Sequence, residues 1–119
     1  MIYKKQLKQS FSKKEGINVD KIRSIICCCG QGLGSSMIME MNVKKALRAL
    51  GRNDISVSHV SLVDAAKDKG DIYICGLDVA YQLRDYPRVI VLRNLIMVEE
   101  IQEKLKRAFT TKEDTFHIE

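Results

Sequence analysis

The sequence has no run of apolar residues long enough to cross a bilayer, and no apolar stretch follows the lysines at its N-terminus. A membrane helix needs about 20 such residues, and a secretory signal needs an apolar segment behind its basic start. We therefore predict neither a membrane span nor secretion, and we expect a cytoplasmic protein. A chain of 119 residues can bury one core and is the size of one domain.

Acidic residues are absent from residues 1–14, which hold five lysines. The rest of the chain has 15 basic and 15 acidic residues, so the formal net charge of +5 belongs to this segment. A nucleic-acid-binding domain would place its basic residues on one folded face, so no nucleic-acid partner is predicted. We divide the chain into a lysine-rich leader (1–20), a folded domain (21–109) and a C-terminal tail (110–119), which we expect to be frayed.

No Cys-x-x-Cys pair occurs among the four cysteines, which are Cys27, Cys28, Cys29 and Cys75. Adjacent cysteines do not suit a disulfide framework, and neighbouring strand residues point to opposite faces, which argues against a zinc site. We predict reduced thiols, no metal and no cofactor. Cys27, Cys28 and Cys75 are expected to pack as small apolar residues, with a reversible Cys75–Cys29 disulfide as the minor alternative.

The order of apolar and polar segments predicts alternating strands and helices. An apolar run of strand length is typical of a buried central strand, whereas an alternating one suits a strand near a sheet edge. Gly51 is a natural residue to end the first helix, and Asp78 can cap a short one. The predicted strands are 22–29, 54–62, 71–75 and 88–92; the predicted helical segments are 37–50, 63–69, 78–84 and 97–109.

Alternation of this kind predicts an α/β fold: a four-stranded parallel sheet in the order 2-1-3-4, with helices on both faces in a three-layer, Rossmann-like arrangement. This order places the end of the first strand where the winding reverses, which is where α/β proteins bind ligands. The helical stripes expected to face the core are Met39, Val43, Ala46 and Leu50 in the first long helix, and Met97, Ile101, Leu105 and Ala108 in the last.

A glycine-rich segment follows the first strand and opens the first helix. It begins with Cys29 and continues as Gly30, Gln31, Gly32, Leu33, Gly34, Ser35 and Ser36. Alternate glycines leave backbone N–H groups free to form an anion site with the helix N-terminus. Such a site lowers the pKa of a cysteine at its mouth and can hold a phosphoryl group on the sulfur, because phosphoryl transfer needs mainly positioning and charge stabilisation. The alternative is a tight turn beside a buried cysteine.

Related loops fit less well. A dinucleotide fingerprint would need a third glycine at Ser35, and a Walker A loop would need Gly-Lys-Ser/Thr. A Cys-x5-Arg phosphatase loop would need arginine at Ser35, and no general acid is evident. A loop with a nucleophile but without hydrolytic groups suits a carrier; a phosphatase-like enzyme remains the second hypothesis, and a regulatory module the third.

The segment from Cys29 to Ser36, continued by residues 37–43 (Met-Ile-Met-Glu-Met-Asn-Val), resembles the IIB proteins of ascorbate and galactitol phosphotransferase systems. Val91, Leu92, Arg93 and Asn94 are similar to the fourth strand of these proteins and its exit, so the likeness covers about 22–109. The resemblance implies a P-loop-like phosphate-binding loop and a phosphocysteine at Cys29. Cys27, Cys28 and the long leader depart from the family pattern.

The resemblance also implies the partners. A histidine of a IIA protein would donate the phosphoryl group, and a sugar or polyol bound in a membrane IIC transporter would accept it. The chain would then act as a sugar-specific phosphotransferase component of the protein-phosphohistidine–sugar type. Neither the sugar nor the oligomeric state follows from the sequence.

Four further residues have two interpretations each, and a fifth, His117, has one. Met37 and Met41 lie off the core stripe and either form a docking face or fill gaps. Arg93 either steadies phosphate or forms a surface ion pair. His59 suggests a second phosphoryl carrier or base, but a structural role is predicted, and His117 is expected to be solvated.

Overall fold

A computed structural model describes residues 22–29, 34–61 and 70–119, with the side chains of all of these except Cys29, Gly34, Ser35 and Ser36. Three predicted features lie outside the described residues: the lysine-rich leader, loop residues 30–33 and the helical turn at 63–69.

Five parallel strands form a single sheet in the order β2-β1-β3-β4-β5. The predicted order of the first four strands, 2-1-3-4, is confirmed, and so is the α/β class with helices on both faces of a parallel sheet. The prediction of four strands is wrong, because a fifth pairs with β4. The strands are β1 (Ser24–Cys29), β2 (Ser56–Ser61), β3 (Ile72–Gly76), β4 (Arg88–Leu92) and β5 (Phe116–Ile118).

The fifth strand comes from the segment that was expected to be a frayed tail. Phe116 and Ile118 pair with Arg88 and Ile90 of β4, and Ile118 is buried against the core. Three residues are too few to show a strand period, so the sequence pattern did not reveal this strand. His117 is exposed, as predicted, and its Nε2 donates to the carbonyl oxygen of Tyr86 at 2.7 Å.

Two α-helices cover one face of the sheet, and a 3-10 helix lies against the other. They are α1 (Gly34–Ala49), the 3-10 helix (Leu77–Leu83) and α2 (Val98–Thr110). Gly51 ends α1 with a positive φ of 76°, which confirms its predicted role. The N-cap residue of the 3-10 helix is Gly76, which forms no side-chain capping hydrogen bond, and Asp78 lies inside the first turn, so the capping prediction was wrong.

The core forms two layers because apolar side chains alternate along the central strands. Ile25 and Cys27 of β1 face the α-helices, whereas Ile26 and Cys28 face the 3-10 helix. The α-helical layer contains the predicted stripes except for Leu50, which is partly buried, and Met97, which is exposed.

The starts of three strands are joined by polar contacts at the amino edge of the sheet. The Asp71 carboxylate accepts hydrogen bonds from the backbone N–H groups of Arg23 (2.7 Å) and Ser24 (3.1 Å). The Arg88 guanidinium donates to the Asp71 carbonyl oxygen at 2.6 Å. These contacts lie at the edge opposite the glycine-rich loop and align β1, β3 and β4.

Replacing Gly51 with Ala should destabilise the protein through backbone conformation alone. Among the described residues, apart from Gly51 and its chain neighbours, no atom lies within 4 Å of the position that a Cβ would take, so the strain comes from the positive φ. We expect the free energy of unfolding to fall by about 1 kcal/mol, measured by urea denaturation. Gly51→Asn is the matched control and should lose less, because Asn tolerates this region better. Equal stability of the Ala variant and the wild type would contradict this account.

Candidate functional site

The carboxyl end of β1 lies at the switch point of the sheet. β1 pairs with β2 on one side and with β3 on the other, so the chain moves outward in one direction and then crosses back over β1. Cys29 is the last residue of β1 and pairs with Ser61, the last residue of β2. Open α/β sheets bind ligands in the crevice at such a point.

Both ends of the predicted phosphate-binding loop belong to regular elements of the structure. Cys29 closes β1, and Gly34, Ser35 and Ser36 form the start of α1. Gly30, Gln31, Gly32 and Leu33 lie outside the described residues. The roles assigned to the Cys29 sulfur and to the loop therefore stay predictions.

The start of α1 suits an anion electrostatically. Its first turn carries no acidic side chain, and the first backbone N–H groups of a helix have no intrahelical acceptor. A helix N-terminus carries a partial positive charge.

The other three cysteines are buried in the core, as predicted. Cys28 and Cys75 belong to one apolar layer and Cys27 to the other. Burial raises the pKa of the Cys27 thiol well above its ordinary value, with the nearby Cys28 and Glu40 adding to the effect. Burial likewise raises the pKa of Cys75 to about 12. Since the thiolate is the nucleophile, these two side chains are poorly suited to phosphoryl transfer.

His59 lies on β2 and is joined to α1 through Glu40. Its Nδ1 contacts a carboxylate oxygen of Glu40, whose other oxygen accepts from Lys44 Nζ at 2.9 Å. Burial alone would raise the pKa of Glu40, but the hydrogen bonds and positive charges of Lys44 and His59 outweigh it and lower that pKa. This contact attaches α1 to an edge strand and favours the structural role predicted for His59.

The loop from β4 to α2 (residues 93–97, the β4–α2 loop) is held by Glu100. One Glu100 oxygen accepts from the backbone N–H of Arg93 at 2.6 Å, and the other accepts from that of Asn94 at 2.9 Å. Lys104 Nζ donates to the first of these oxygens at 2.7 Å and to the carbonyl oxygen of Val91 at 2.7 Å. From α1, the Asn42 side-chain amide donates to the carbonyl oxygen of Leu95 at 3.0 Å.

No sequence pattern revealed this arrangement. Glu100 and Lys104 are four residues apart, a spacing typical of helical ion pairs, but only the structure shows that Lys104 is 5% exposed. Burial would raise the pKa of Glu100, yet the hydrogen bonds from Arg93, Lys104 and Asn94 outweigh it, so that pKa lies below 4.5. The Asn42 amide, 8% exposed among apolar neighbours, carried no sequence signal.

Arg93 lies beside α2 rather than in an ion pair. Its side chain lines a cleft together with Asn94, Met97, Arg107 and Glu119. Among the described side chains, Arg93 forms no salt bridge, so the surface ion pair considered for it is not seen.

Within the described part of the chain, no helix is long and apolar enough to cross a membrane.

These features define a small α/β protein whose candidate site lies where its first strand meets a helix. Residues 24–107 match the family described as the lactose/cellobiose-specific IIB subunit of the PTS system. The match covers most of the chain, which therefore belongs to this PTS IIB family. No curated protein matches the chain significantly.

The family confirms the predicted IIB component of a phosphotransferase system. IIB proteins have a phosphotransferase role as sugar-specific phosphocarriers, and they work with IIA and IIC partners. The match does not support the ascorbate/galactitol class, because its description names lactose and cellobiose.

In the native protein, an alkylating reagent should modify one thiol, at Cys29, and spare Cys27, Cys28 and Cys75. At neutral pH a thiol with a pKa of about 12 is ionised in about one molecule in 10⁵, and burial also excludes the reagent. The number of adducts and their positions are read by mass spectrometry. In urea all four cysteines should react. Native modification of a core cysteine before Cys29 would contradict the prediction.

The stability of the wild type should fall as the pH drops below about 4.5, partly through Glu100. A carboxyl group whose pKa is lower in the folded state stabilises that state above its unfolded pKa and loses this contribution as it is protonated. Glu100→Gln should flatten this part of the pH dependence, measured by urea unfolding. At neutral pH it should cost about 3 kcal/mol, because the buried Lys104 loses its partner. Glu103→Gln, an exposed control on the same helix, should behave like the wild type.

Proposed function

We propose that this chain carries a phosphoryl group on Cys29, between the phosphohistidine of a IIA protein and a substrate bound in a membrane IIC transporter. The observation that carries the proposal is the position of Cys29, the last residue of the central strand at the switch point, within the segment matched by the IIB family. The carrier would act on the cytoplasmic side, with the predicted domain of residues 21–109, to which the structure adds β5, as the phosphocarrier domain.

The two transfers balance as follows. The Cys29 thiolate attacks phosphorus, the P–N bond to the donor histidine breaks, and the nitrogen keeps the bonding electron pair. A substrate hydroxyl then attacks phosphorus, the S–P bond breaks, and the thiolate is restored, while the hydroxyl proton leaves to a base or water at the transporter. The amides of residues 30–36 and the hydroxyls of Ser35 and Ser36 would hold the phosphoryl oxygens.

The exposed apolar side chains support a docking role for this edge of the sheet. In the part of the chain that the structure describes, the large exposed ones all follow the carboxyl ends of β1, β3 and β4. They are Met37, Ile38, Met41, Leu77, Tyr81, Ile96 and Met97. Contiguous exposed apolar surface marks interaction sites, and the segments that carry these residues all start from the carboxyl edge of the sheet. The exposure of Met37 and Met41 favours docking over gap filling, and we assign both to the surface that meets IIA and IIC.

The transported substrate, in this proposal, is a sugar acid or polyol of the ascorbate or galactitol kind. The support is the likeness of residues 29–43 to that class. Phosphorylated IIA proteins of the ascorbate, galactitol and lactose/cellobiose types can be compared as donors. Faster labelling by a lactose/cellobiose-type donor would overturn the class while leaving the carrier role intact.

Incubation with phosphoenolpyruvate, the general donor proteins and a matching IIA should add one phosphoryl group at Cys29, read by intact mass and by site mapping. Cys29→Ser should abolish it, because the thiolate nucleophile is lost. Cys27→Ala, at a buried neighbour in β1, is the matched control and should still be labelled. Labelling of the Cys29→Ser protein at an unchanged site would refute the carrier role, and sustained hydrolysis of an aryl phosphate would favour the phosphatase-like alternative.

A further inference from the structure

Three buried or half-buried polar residues of α1 and α2 hold the β4–α2 loop. Asn42 contacts the loop from α1 and Glu100 contacts it from α2, while Lys104 donates to Glu100 and to the carbonyl oxygen of Val91 in β4. We call Asn42, Glu100 and Lys104 the polar clamp. It leaves the loop with few free backbone groups, since Glu100 accepts from two N–H groups of the loop and Asn42 donates to a carbonyl oxygen.

Burying the Asn42 side-chain amide costs free energy unless the amide forms a hydrogen bond. It is 8% exposed and lies on α1 beside the core residues Met39, Val43 and Ala46. A leucine here would extend the apolar stripe, whereas a buried amide requires a partner. Its observed partner is the Leu95 carbonyl oxygen, on a loop 53 residues away in sequence. The contact fixes α1 against the carboxyl edge of the sheet.

The β4–α2 loop extends toward the carboxyl end of β3. A Cβ built on Gly76, the last residue of β3, would lie 3.6 Å from the side chain of Leu95. β3 is the neighbour of β1 in the sheet. The loop therefore occupies the space between α1 and the end of β3, next to the strand that ends in Cys29.

We propose that Asn42 and Glu100 are positioning residues for phosphoryl transfer: Asn42 joins α1 to the β4–α2 loop, Glu100 fixes that loop to α2, and together they hold the start of α1 beside the end of β1, where the predicted phosphate-binding loop begins. The inference rests on the proposed carrier function of Cys29. On the other flank of α1, Glu40 contacts His59 of β2, so the helix is held by polar contacts from both sides.

Loss of the clamp should affect chemistry more than partner binding. Amides that stabilise a phosphoryl group or a thiolate act only when correctly aimed, and a displacement of about 1 Å can reduce rates by about 100-fold. The proposed phosphoryl site, Cys29 and residues 30–36, includes none of the three clamp residues. We therefore expect a lower kcat for transfer from IIA at a nearly unchanged KM.

The experiment compares Asn42→Leu and Glu100→Gln with two controls. Met39→Leu is a nearly volume-conserving change in the same buried turn, and Glu103→Gln removes an exposed carboxylate from α2. For each full-length protein we would measure urea stability, the kcat and KM of transfer from phosphorylated IIA, and the pH profile of Cys29 alkylation. All measurements are made under conditions in which each protein is folded.

Asn42→Leu should lower kcat by about 10-fold with little change in KM, and it should move the alkylation profile to higher pH, because the thiolate loses oriented donors. Glu100→Gln should likewise lower kcat and move the alkylation profile to higher pH, and the two controls should match the wild type. Kinetics and alkylation like those of the controls, with only stability altered, would overturn the proposal. Failure of the wild type to be phosphorylated would instead refute the carrier function, while a shifted alkylation profile would still support the clamp.

Discussion

The central position of β1 is the constraint on which the other features depend. Its side chains are apolar on both faces, so it is stable only between two packed layers and between two neighbouring strands. Because β2 pairs on one side and β3 on the other, the winding reverses at the carboxyl end of β1. Open α/β sheets bind ligands beside such a reversal, and here Cys29, the start of α1 and the β4–α2 loop lie at that edge of the sheet.

The three consecutive cysteines of β1 are suited to different roles. Cys27 and Cys28 lie inside the sheet, and the burial of Cys27 suppresses its ionisation, whereas a phosphoryl carrier needs a thiolate. The strand can therefore hold three consecutive cysteines while only the one at its end is a candidate for chemistry. The Asn42 contact of α1 reaches the β4–α2 loop at the carboxyl edge of the sheet, whereas Glu40 contacts His59, which pairs with Cys27 within β1.

Much of the fold could be predicted because apolar periodicity and turn residues are local signals. The apolar run of β1, the stripe of Met39, Val43 and Ala46, and the positive φ at Gly51 all match expectation. β5 was missed because three residues show no period. Lys104 was missed because its helical position does not reveal that its ammonium group reaches the carbonyl oxygen of Val91.

The sequence alone determined the IIB component of a phosphotransferase system, though not its class, together with the order of the first four strands and the candidate nucleophile, because these follow from a contiguous motif and from the alternation of segments. Only the tertiary structure decided which polar side chains are buried and what they bind. The Asn42 contact with Leu95 and the Glu100 contact with Lys104 join separate elements or depend on burial. Such contacts arise from the packing of distant segments, and no local pattern specifies them.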